Sequence, residues 1–98
     1  MTKGKILVIE DEKKIARFIE LELIHEGYTV EVRYNGIEGL KRAQESEPDI
    51  ILLDIMLPGL NGMEVCMRIR QFSDMPIIML TAKDETTIFN TTSGSFDR

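Results

Sequence analysis

Three short apolar runs, Ile6-Leu7-Val8-Ile9, Ile50-Ile51-Leu52-Leu53 and Ile77-Ile78-Met79-Leu80, carry no polar alternation. Strands of that kind need cover on both faces, which a parallel sheet flanked by helices provides. Between the runs the period changes. Ile15, Phe18, Ile19 and Leu23 recur at helical spacing from Glu12 to Glu26, and Gly27 supplies a left-handed stop. Tyr28, Val30 and Val32 alternate with Thr29, Glu31 and Arg33, which predicts a strand with one exposed face at a sheet edge. Asn35 is placed to cap a second helix carrying Ile37, Leu40 and Ala43, which Pro48 stops. Leu57 to Gly62 reads as a loop by its turn residues. Met63, Val65, Cys66, Met67 and Ile69 then give a third helix its apolar surface. The order βαβαβαβ, with right-handed crossovers, is an α/β doubly wound parallel sheet.

Ninety-eight residues suffice for one small domain. A net charge of −5 argues against nonspecific binding to nucleic acid or to an anionic membrane, since both require basic patches. No apolar run approaches the roughly 18 residues of a membrane span, and Met1-Thr2-Lys3-Gly4 opens no signal-peptide pattern. The single cysteine, Cys66, allows no internal disulfide and fits a reducing, cytoplasmic setting. It is expected as a small buried hydrophobe, and His25 as a solvated surface residue. Neither has ligand spacing for a soft metal, and no glycine pattern supports nucleotide binding.

The chemistry lies where the apolar runs end. Ile9 is followed by Glu10-Asp11-Glu12, and Leu53 by Asp54. Open α/β sheets bind ligands at the carboxyl ends of their strands, so these acids are expected to converge on one crevice. Hard oxygen donors of this kind suit Mg²⁺. A carboxylate beside such a cation can attack a phosphoryl group, because the metal neutralises the incoming negative charge. Thr81, ending the fourth strand, brings a hydroxyl to the same rim. Capping explains Asp11 and Glu12 equally well, and threonine is a good strand residue, so no part carries the argument alone. Asp54 is harder to dismiss, because Ile55-Met56-Leu57-Pro58-Gly59 offers no immediate helix to cap.

Taken together, Ile6 to Glu12, Asp49 to Gly62 and Pro76 to Ala82 resemble the receiver domain of bacterial two-component response regulators over about residues 4 to 85. The resemblance implies a flavodoxin-like fold with strand order 2-1-3-4 and an aspartate phosphorylated by a sensor histidine kinase. By position, Asp54 resembles the phospho-acceptor, Asp11 the direct Mg²⁺ ligand and Glu10 a more indirect acidic ligand. Met56 resembles the residue that lends its backbone carbonyl to the metal. Thr81 resembles the hydroxyl that follows the phosphoryl group, and Ala82 the small residue beside it. No conventional enzyme is implied, only self-catalysed phosphorylation and dephosphorylation of the aspartate.

The chain departs from that family after about residue 85. Receivers continue with a fourth helix, a fifth strand ending at a lysine that ion-pairs with the phosphoryl group, and a fifth helix. Lys83 follows the wrong strand for that lysine, and Phe89 and Phe96 lack the surrounding pattern. Residues 1–85 therefore read as an incomplete receiver domain, and 86–98, rich in threonine and serine, as a loop or disordered tail. Loss of the fifth strand is expected to bare the Ile77–Leu80 edge and drive self-association there, unless Thr87 to Phe89 turns back to cover it. It also removes a cation from the acid cluster, so phosphorylation is expected to be slower. The alternative function is a receiver-derived fragment that self-associates and does not signal.

Overall fold

The apolar runs and the alternating segment form strands β1 (Lys5–Ile9), β2 (Thr29–Arg33), β3 (Ile50–Asp54) and β4 (Ile77–Ala82). Helices α1 (Lys13–His25), α2 (Gly36–Ser46) and α3 (Gly62–Ile69) connect them. A further strand, β5 (Glu85–Thr91), follows β4. The computed structural model describes residues 2–82 and 85–91. β1 to β4 are parallel, in the order β2-β1-β3-β4, and the fold is flavodoxin-like. The parallel fifth strand and last helices of a complete receiver are absent among the described residues. β5 instead pairs antiparallel with β4, setting Ile77 opposite Thr91 and Leu80 opposite Ile88.

β5 corrects two expectations. The segment from Glu85 to Thr91 is a strand where a loop ranked first, while residues 92–98 lie outside the described residues. The Ile77–Leu80 edge is therefore covered by the chain's own β5, as the alternative in which Thr87 to Phe89 turns back requires, and is not the bare edge expected to recruit a second copy. The physical reason is hydrogen bonding. An apolar edge strand with an open row of amides and carbonyls takes the nearest strand-forming segment, and a hairpin partner is the nearest of all.

Alternate residues of each strand face opposite sides of the sheet. On one side Leu7, Ile9, Ile51, Leu53, Ile77 and Met79 are buried against Ala43 of α2 and Val65, Cys66 and Ile69 of α3. Cys66 is thus a buried hydrophobe, as its place on the apolar face of α3 requires. The right-handed crossover places α1 on the other side. There it lies chiefly over β1 and β2. Ile6, Val8 and Ala16 are buried on that side, but Leu52, Ile78 and Leu80 are only half-buried.

Two helix starts are built alike. Asn35 Oδ1 accepts from Glu38 N, and Asn61 Oδ1 accepts from Glu64 N, both at 2.9 Å. Each cap satisfies an amide that the first helical turn leaves without a partner, and each helix carries a glutamate near its positive end. The glycine after each cap is forced by packing. A Cβ on Gly36 would run into the carbonyl oxygen of Leu60, and one on Gly62 into that of Asp54.

At the β2 edge, Arg42 of α2 grips Glu31 with two nitrogens, Nε at 3.0 Å and Nη2 at 2.8 Å from Oε2. Hydrogen bonding to Arg42 holds the Glu31 carboxyl below its ordinary value of 4.5, with partial burial opposing and the charges of Arg42 and Arg33 assisting. A lowered folded-state value means that the pair stabilises the fold above pH 4.5, with the effect lost as pH falls through the folded value. Both side chains keep some exposure, so solvent screens the pair and its contribution is small. Urea unfolding of Glu31→Gln is expected to show that deficit at neutral pH. The deficit should shrink toward zero in acid, and a gap that persists there would contradict the assignment.

Candidate functional site

Parallel pairing of β1 with β3 sets Ile9 opposite Leu53, which carries Glu10 to the level of Asp54. Both leave the sheet at the carboxyl edge, with Asp11 one residue further on. Glu10, Asp11 and Asp54 each offer a carboxylate oxygen, and these atoms all lie within 4.8 Å of one another. Glu10 and Asp54 are each only 2% exposed, and Asp11 is half-buried. Three such charges repel strongly in a poorly solvated crevice.

Backbone amides hold the acids in place. Glu10 N donates to Arg33 O at 3.0 Å, tying the end of β1 to the end of β2. Glu12 N donates to Glu10 Oε2 at 3.0 Å, holding that side chain against the turn that leads into α1. Met56 N donates to Asp54 Oδ1 at 3.0 Å. Just beyond, Ile55 N donates to Leu80 O at 3.1 Å and Ile55 O accepts from Gly62 N at 2.9 Å. The Asp54 backbone is thereby wedged between β4 and the first residue of α3.

The helix-capping reading of the first acids loses ground. Glu12 is the cap residue of α1 and its side chain makes no cap bond, while Asp11 lies before the cap position. The Met56 side chain is exposed at 63%, and its backbone amide is the part that touches Asp54. Leu80 pairs in register with Asp54, so Thr81 of β4 stands one residue beyond it. The Thr81 side chain and all of Lys83 lie outside the described residues.

Two contributors went unnoticed in the sequence. Turn composition makes Asn61 part of a loop, though Asn61-x-x-Glu64 is the spacing of a capping box. Gly62 has the look of a turn residue as well. Its role, leaving room for the Asp54 carbonyl, depends on a contact that no local pattern announces.

Comparison with known proteins agrees with this geometry. Residues 6–94 match the family described as the response regulator receiver domain. Response regulator ArlR of Staphylococcus saprophyticus is 55% identical over 82 residues, which cover 84% of this chain and 37% of that protein. The chain therefore spans little more than a third of the length of that curated relative. The receiver domain of the Francisella response regulator 1452 superposes with a TM-score of 0.79 at 35% identity, covering 86% of this chain and 70% of that one. The BeF3-activated receiver domain of Klebsiella pneumoniae RstA superposes with a TM-score of 0.77 at 34% identity, covering 83% and 69%. The sheet order, the acids at its carboxyl edge and these matches place the chain in the response regulator receiver domain family.

Proposed function

We propose that this chain is a phospho-accepting module of a two-component system, with Asp54 as the acceptor and a sensor histidine kinase as the donor. The observation that carries the reading is the gathering of Glu10, Asp11 and Asp54 within 4.8 Å at the carboxyl edge of a parallel sheet. Family membership supports it, as does the BeF3-activated state named for the RstA receiver.

The donor set fits a hard divalent cation. Its side-chain donors are carboxylate oxygens, two of them on nearly fully buried residues. Asp11, Asp54 and the Met56 carbonyl would hold Mg²⁺, with Glu10 acting less directly. Bound there, Mg²⁺ supplies the positive charge that lets an anionic carboxylate approach an anionic phosphoryl group.

The remaining work falls to the chain. The bond from Met56 N to Oδ1 fixes the plane of the Asp54 carboxylate. A carboxylate oxygen of Asp54 then bonds phosphorus as the P–N bond of the kinase phosphohistidine breaks, and the departing imidazole takes a proton from solvent. Glu10, held by Glu12 N, stays oriented toward the crevice through the transfer. Thr81 donates its hydroxyl to a phosphoryl oxygen of the product.

Intact-mass measurement after incubation with a small phosphodonor and Mg²⁺ tests the assignment. One phosphoryl adduct is expected on the wild-type chain, none on Asp54→Asn, and little on the wild type when chelator replaces Mg²⁺. An adduct retained by Asp54→Asn would reject Asp54 as the acceptor.

A further inference from the structure

The sheet has two edges, and they differ in chemistry. β2 (Thr29–Arg33) is short and carries Glu31 at its centre, held by Arg42. β5 (Glu85–Thr91) is longer, and five of its seven residues are β-branched or aromatic: Thr86, Thr87, Ile88, Phe89 and Thr91. It contains no proline, glycine or lysine, the residues that usually blunt an edge. Segments of this length, with high strand propensity and low charge, pair readily with copies of themselves. Among the described residues, β5 pairs with β4 alone, so its outer row of amides and carbonyls faces away from the sheet.

We propose that β5 is a self-association edge, at which two copies of this chain join antiparallel about a two-fold axis through Ile88 and form one continuous sheet. Charge decides between this edge and the other. Antiparallel pairing about the middle of β5 sets Ile88 against Ile88, Thr87 against Phe89, Thr86 against Asn90 and Glu85 against Thr91. The strand's only charge, Glu85, then lies about 20 Å from its counterpart, beyond the screening length at physiological salt. The same operation on β2 sets Glu31 directly against Glu31, a like-charge pair that disfavours assembly. One edge accepts a copy of itself and the other refuses it. The contact is isologous, so each copy uses its β5 edge once and the assembly closes at two.

The proposal is independent of phosphorylation and replaces β4 with β5 as the strand that meets a second copy. Sedimentation equilibrium of the 98-residue chain gives the primary readout, with two charge variants as controls. One carries Thr86→Lys with Asn90→Lys, the other Thr86→Glu with Asn90→Glu. Each puts like charges at two opposed pairs across the axis, while a mixture puts opposite charges there. The wild type is expected to reach twice the chain mass as concentration rises. Each variant alone should dissociate at least about tenfold more readily, and an equimolar mixture should regain the dimer. A wild type that remains monomeric up to about millimolar concentration overturns the proposal. So does an assembly that grows beyond two copies, a dimer that survives in both variants, or a mixture that fails to recover it.

Discussion

The parallel pairing of β1 with β3 is the constraint on which the rest depends. Because Ile9 stands opposite Leu53, the residues that follow each strand arrive together, and three carboxylates share one small volume. Shifting either strand by one residue would exchange the side chains on its two faces as well as separate the acids. The packing of Leu7, Ile9, Ile51 and Leu53 against α2 and α3 therefore does two things at once. It stabilises the domain, and it holds a repulsive cluster together.

That coupling explains the closeness of the surrounding backbone. Asn35-Gly36 and Asn61-Gly62 begin two helices in the same way, and their glycines rest against the loop that runs from Asp54 to Leu60. The loop is further tied by Ile55 to β4 and to Gly62. With Asp54 as the proposed acceptor at the head of so constrained a loop, a change in charge there would pass directly to β4 and α3. The acids are thus mounted on rigid elements, and the same elements would feel their neutralisation.

Much of this was legible in the sequence because it rests on local signals. Unbroken apolar runs announced the buried strands, alternation placed β2 at an edge, and Asn35 marked the start of α2. The acids could be located because they directly follow apolar runs. What escaped were features decided by distant contacts. Composition favours a loop for the threonines of Glu85–Thr91 and leaves the turning back of Thr87 to Phe89 as the alternative; the open β4 edge decides for the strand. Gly62 looked like an ordinary turn residue until the Asp54 carbonyl was seen against it. The bond from the Met56 amide to Asp54 likewise has no local signal in the sequence.

The central claim is that Glu10, Asp11 and Asp54 act as one cation-binding unit that prepares Asp54 for the phosphoryl group. Calorimetric titration with Mg²⁺, comparing the wild-type chain with Asp11→Asn, tests it most directly. The wild type should show a single saturable site, and the variant should bind at least about tenfold more weakly while unfolding cooperatively. Equal affinity in the two proteins would contradict the account, since it would place the cation somewhere other than among the three acids.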